Sequence, residues 1–251
     1  YYLIDMASDL KRKITALLDQ VFPEFEAQFS TIFGKSALAV LKQYPTAEKM
    51  SRAQLGKLTQ LLQTASNGRF GEWKARQLRE AAKGSFGIPD CEGVYSTLIL
   101  LQLQQLQSLL DGAAALEQQI ADIFSQFDTT LTSVPGIGPL LGAVILSEIR
   151  DISCFSSADK LVSYAGLNPK VKQSGGVHMS KRGSPYLRRA IWMACTNAVQ
   201  CDPMFRAYYE KKAAEGMRYM CIIGHVTRKM ASVIFAVLRD NKVYQPVLPA
   251  A

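Results

Sequence analysis

Ser174 stands in the run VKQSGGVHMSKRG, with Lys172 two residues before it, Gly175 and Gly176 directly after it, and Lys181 and Arg182 further on. A serine hydroxyl attacks phosphorus only where the charge developing on the phosphoryl oxygens is stabilised and the hydroxyl proton can leave. Ammonium and guanidinium groups supply the stabilisation, and glycines let a strand come close to the backbone. Two other serines stand nearby. Ser184 precedes Pro185 and an apolar helical pattern, so it reads as a helix N-cap with proline at the first helical position. Ser180 precedes Lys181 and can bond either a turn or a phosphate. Ser174 has no helix to cap. Spacing alone reads it as a turn serine more readily than as a nucleophile, and both readings stay open at this point.

The charge around it says what such a serine would meet. The 251-residue chain carries a net charge of +8, and residues 134–251 hold all of the excess. From Lys160 to Cys201 there are seven basic residues and no acid. An excess confined to one region reads as a surface facing a polyanion. The candidate contacts are Lys170, Lys172, Lys181, Arg182, Arg188 and Arg189. The five cysteines are odd in number and form no CxxC pair, which argues for reduced thiols, a cytoplasmic location and a role as small buried hydrophobes. With only two histidines a metal site is not expected. No apolar run approaches the roughly 18 residues of a membrane span, so no membrane partner is expected. The chain opens as YYLIDMASDL, already inside a helical pattern and without an initial methionine, and is read as a fragment of a longer protein.

The elements that would position these residues are mainly helical. Residues 3–20, 30–41 and 72–83 carry helical patterns, the last closed by Gly84, and Ser51 is expected to cap a helix reaching Gln63. Residues 91–127 read as one long helix, with Leu106, Leu110, Ala113, Leu116, Ile120, Ile123 and Phe127 every three or four residues. That stripe suits a coiled-coil or helical-hairpin seam, and equally the core of a bundle. The expected organisation is a helical and coiled-coil region over 1–130, then a helical domain over 131–251. The second begins with SVPGIGPLLGAVILSEI, which resembles a helix–hairpin–helix. There Gly136 and Gly138 would let a phosphate approach the N-terminus of the following helix. Ser156 with Asp159 reads as a capping box for a helix that stops at Gly166. VKQSGGVHMSKRG follows as a short basic loop or a β-hairpin turning at Gly175 and Gly176.

Taken in order, VPGIG, FSSADKLVSYAGLNP, QSGG and SKRGSPYLRRA resemble the C-terminal domain of the insertion-sequence 110/116/902 transposase family, densely over residues 131–200. LLDQVFPEFEAQF, FGKSALAVLKQYPTAE and RKMASVIFAVLRDNKVY extend the resemblance over nearly the whole chain. The resemblance implies DNA recombination by cutting and rejoining. It pairs a serine that becomes covalently linked to DNA with an N-terminal RuvC-like domain whose acidic tetrad binds magnesium. By motif the serine is Ser174. The RuvC-like domain would lie upstream of LLDQVFPEFE and is absent from this sequence. Asp5 and Asp9 have the wrong spacing to stand in for its ligands, so magnesium is expected only in that absent domain. This fragment alone is therefore expected to bind nucleic acid without catalysing recombination. The resemblance also brings DNA and a structured guide (bridge) RNA used by some members as partners, and a homo-oligomer is expected as well, with the 91–127 stripe as a candidate seam. The alternative is a non-catalytic nucleic-acid-binding helical module. A purely structural coiled-coil protein ranks last, because it leaves the basic half unexplained.

Overall fold

The structure is a computed structural model that describes residues 1–172 and 176–246. It is mainly α-helical and divides into two compact units, residues 1–115 and 116–251. In sequence the division falls within a helix, whereas composition changes near residue 130.

The first unit is built from α1 (Tyr2–Val21), α2 (Lys35–Gln43), α3 (Ala47–Ser51), α4 (Leu55–Ala65), α5 (Glu72–Lys83) and the first part of α6 (Val94–Phe124). Its core joins Ile14 and Leu18 of α1, Leu41 of α2, Leu62 of α4, Leu78 of α5 and Leu103 of α6. α1 ends as the stripe predicts, with Pro23 opening a 3-10 turn. α5 and its closing Gly84 coincide with the predicted helix. Ser51 differs from expectation. It is the last residue of α3, and its hydroxyl donates back to the Glu48 carbonyl. Thr46 is the capping residue instead, accepting from the Lys49 amide. The chain breaks over Arg52–Gln54 because Ala53 is drawn into the core, so α4 starts later, without a side-chain cap.

The stripe of α6 divides along its length. Leu106 and Ala113 are buried, while Leu116 and Ile123 are 49% and 57% exposed, as is Phe127 beyond the helix at 60%. Only the first part is packed as a core stripe.

The second unit continues from the end of α6 into α7 (Pro139–Ile149) and α8 (Ala158–Tyr164). The strands β1 (Pro169–Lys172) and β2 (Gly176–Met179) come next, then α9 (Pro185–Cys201), α10 (Pro203–Ala214) and α11 (Tyr219–Asp240). β1 and β2 form an antiparallel ladder in the register Pro169↔Met179 to Lys172↔Gly176, which agrees with the hairpin reading; Gly176 is paired within β2, and the expected turn residue Gly175 lies outside the described residues. The unit's core gathers Ile145, Leu161, Ile191, Phe205, Val226 and Ile234 from α7, α8, α9, α10 and α11. Among the described residues α11 is the one helix long and apolar enough to cross a membrane, and half of its most apolar stretch is buried inside the protein.

Ser157, not Ser156, precedes α8, and its side chain makes no capping bond. At the other end Gly166 does what its type predicts. It takes φ +68°, its amide bonds the Ser163 carbonyl, and the Leu167 amide bonds the Val162 carbonyl, which closes the helix in a Schellman turn.

The cysteines are all free thiols, but only Cys195 is buried. Cys91, Cys154, Cys201 and Cys221 are exposed, so the expectation of buried hydrophobes holds at one position. Burial pushes the Cys195 thiol far up from its ordinary value. With the thiolate as the reactive species, a thiol reagent at pH 8 should label the four exposed cysteines of the native protein within minutes. Cys195 should react only on unfolding. Peptide mapping checks this, and rapid native labelling of Cys195 would contradict the packing of α9.

Candidate nucleic-acid interface

The hairpin stands on a close contact between two backbone segments. The Tyr164, Gly166 and Asn168 carbonyls accept the amides of Ser184, Lys181 and Ser180 at 2.9, 3.0 and 2.8 Å. Two glycines allow this approach. A Cβ on Gly183 would lie 2.0 Å from the Tyr164 carbonyl oxygen, and one on Gly166 would lie 2.5 Å from the Arg182 carbonyl oxygen. Lys181 sits between them at φ +55°, a left-handed conformation uncommon for a side-chain-bearing residue. Arg188, one turn into α9, donates to the Ala165 carbonyl at 3.1 Å and so ties that helix to the same corner.

Ser184 is the N-cap of α9. Its oxygen accepts the Leu187 amide at 3.0 Å, Pro185 follows at the first helical position, and its hydroxyl donates to Glu148 of α7 at 2.6 Å. Ser184→Ala removes both bonds, and about 1–2 kcal/mol of stability should go with them. A thermal melt a few degrees lower is the expected readout. Ser180 also has a local role, accepting the Arg182 amide at 3.4 Å. Ser174 and the rest of 173–175 lie outside the described residues, between the paired Lys172 and Gly176.

At the foot of the ladder is a groove of about 830 Å³. Of the predicted contacts, Lys181, Arg188 and Arg189 line it, and the exposed Arg182 stands next to Lys181 without being part of the lining. Lys170 and Lys172 enter β1, each paired through its backbone with His178 and Gly176. Gly136 and Gly138 stand apart from the groove. Gly136 takes φ +85°, and a Cβ there would lie 2.2 Å from the Ala194 carbonyl oxygen, so its lack of a side chain is used for packing against α9. Gly138 has open space around it and is the N-cap of α7. A 3-10 turn, Leu131–Ser133, precedes these glycines, and α7 follows them.

Sequence reasoning missed the other half of the groove. Arg218, Cys221, His225 and Arg228 also line it. Arg218 is the N-cap of α11, and the spacing of four and three residues places Cys221, His225 and Arg228 on one face of that helix. That period is visible in the sequence, although the strong apolar pattern of the helix overshadows it. No acidic residue is among the lining residues. The arrangement suits an anion that is also partly apolar. Among the described residues no three of His, Cys, Asp and Glu stand close enough together to hold a metal ion.

Residues 128–210 match the family described as transposase IS116/IS110/IS902. The chain is 27% identical over 256 residues to the insertion element IS110 uncharacterized 43.6 kDa protein of Streptomyces coelicolor, covering 98% of this chain and 63% of that protein. It is 26% identical to the insertion element IS900 uncharacterized 42 kDa protein of Mycobacterium paratuberculosis, covering 92% of this chain and 59% of the relative. It is also 34% identical over 118 residues to the pilin gene-inverting protein of Moraxella bovis, covering 45% of this chain and 37% of the relative. The chain thus spans about three-fifths of the length of the insertion-element proteins it matches. Over residues 128–210, then, the chain is similar to the transposase IS116/IS110/IS902 family, and over nearly its whole length to insertion-element proteins.

Proposed function

We propose that this chain is the DNA-holding and strand-joining part of a transposase working through a serine-linked DNA intermediate. Ser174 is the nucleophile. Its oxygen forms a bond to phosphorus as the bond from phosphorus to a deoxyribose oxygen breaks, and the hydroxyl proton is delivered to the departing sugar oxygen. A second sugar hydroxyl then attacks the phosphoserine, reforms a phosphodiester and returns the proton to Ser174. The number of phosphoester bonds is conserved, so no nucleotide hydrolysis is required. Lys172, Lys181 and Arg182 stabilise the charge on the phosphoryl oxygens, with Arg188 and Arg189 behind them. Gly138 and the first turn of α7 offer a further backbone contact for DNA.

The observation that carries this reading is positional. The strands that flank Ser174 in sequence rise beside a groove lined by cations from the hairpin foot, α9 and α11 and by no acid. The relatives add to it, since an insertion-element protein and a gene-inverting protein both imply DNA rearrangement. The resemblance supplies the remainder, an acidic RuvC-like domain with magnesium working beside the serine.

Mass spectrometry of a protein–DNA adduct tests the assignment. The chain is incubated with magnesium, insertion-element-end DNA and the acidic domain of a relative supplied in trans. A phosphonucleotide mass on the peptide containing Ser174 is expected. An adduct on Ser180 or Ser184 would overturn the assignment. DNA binding without any adduct would leave a non-catalytic nucleic-acid module.

A further inference from the structure

The groove at the hairpin foot is more apolar than phosphate binding needs. Trp192 of α9 lies in its lining, half-buried, with Met179 of β2, Met217 and Met220. Met220 is 63% exposed. Trp192 follows Arg188 and Arg189 by four and three residues, so one helix face presents two guanidinium groups and then an indole. Across the groove α11 contributes Cys221, His225 and Arg228, with its N-cap Arg218 beside them. An intact duplex shows a protein surface its phosphates and sugars, with the faces of its bases hidden in the stack. It would gain from the cations but little from the indole and the thioethers. An unstacked base has an apolar face that needs such a floor, and its flanking phosphates need such a rim. The volume of about 830 Å³ is ample for a nucleotide.

We infer that this groove takes an unstacked base of a locally unpaired DNA strand, held against Trp192, with the flanking phosphates on Lys181 and Arg188 on one side and Arg218 and Arg228 on the other. The inference rests on the chain being a DNA-binding protein and adds the state of the DNA it holds. The strand is opened beside the hairpin foot, so the substrate of this site is single-stranded or melted DNA rather than relaxed duplex.

Fluorescence anisotropy with the full chain tests this, using four labelled probes of one sequence and length. They are single-stranded DNA, duplex DNA, single-stranded RNA, and single-stranded DNA with three consecutive abasic positions. The single strand is expected to bind about tenfold more tightly than the duplex, and the abasic strand about tenfold more weakly than the intact one. Trp192→Ala should collapse the preference for single strand over duplex to threefold or less, and Trp192→Phe should retain most of it. Equal binding of duplex and single strand overturns the inference, as does equal binding of abasic and intact strands. Tighter binding of RNA than of DNA overturns the choice of DNA. Salt-sensitive duplex binding without a single-strand preference removes this inference alone. Failure to bind any probe removes the DNA-binding reading as well. Should Trp192→Ala fold poorly by circular dichroism, the abasic strand and Trp192→Phe decide the matter.

Discussion

Ser174→Ala should reduce the covalent protein–DNA adduct by at least about a thousandfold, to the background of the assay. In the proposed reaction the Ser174 oxygen is the atom that bonds phosphorus, so its loss removes the link being measured. The other serines of the segment have structural bonds that account for them. Ser184 is held between the Leu187 amide and Glu148, and Ser180 accepts the Arg182 amide. Ser180→Ala is accordingly expected to keep the adduct to within a few-fold. The measurement is adduct retained on a denaturing gel, with the acidic domain of a relative and magnesium present. Adduct surviving Ser174→Ala, or lost only with Ser180→Ala, would move the chemistry away from residue 174.

Gly183→Ala is expected to cost about 3 kcal/mol, near a 10 °C fall in melting temperature. The residue sits at φ +117°, and an added Cβ would meet the Tyr164 carbonyl oxygen at 2.0 Å. Backbone faces backbone there, so no flexible side chain can swing away. The 164–168 and 180–184 segments would have to part, with their three amide–carbonyl bonds. Since that contact seats the hairpin, DNA affinity should fall along with stability. Gly138→Ala is the control: its Cβ meets nothing within 4 Å, and the expected cost is no more than about 1 kcal/mol. Similar melting temperatures for the two variants would mean the corner is not packed as described.

Local chemistry was legible in the sequence. Ser184 with Pro185, Gly84 after α5 and Gly166 after α8 were each readable because a cap or a left-handed turn depends on a few adjacent residues. The misreadings share a non-local cause. Ser51 looks like a cap until Ala53 is seen to enter the core, which moves the helix start. Gly136 suggested space for a phosphate, but its neighbour is Ala194, far along the chain. The candidate site was half legible. The cations before and within α9 are close in sequence to the hairpin, whereas Arg218 and Arg228 reach the groove only through the packing of α11 on α8 and α9. Trp192 reads as one more apolar residue of a helix until the groove places it beside those cations.

The claim on which the account stands is that cations from these separate stretches form one DNA-holding face. Its most direct measurement is the dependence of duplex affinity on salt. For about six neutralised phosphates, log K should fall against log salt with a slope of roughly −5. In the triple variant Lys181→Ala, Arg218→Ala, Arg228→Ala the slope should shrink by about three, roughly one per lost contact. A variant that keeps the parent slope and binds within twofold of the parent would show that the groove is not where DNA is held.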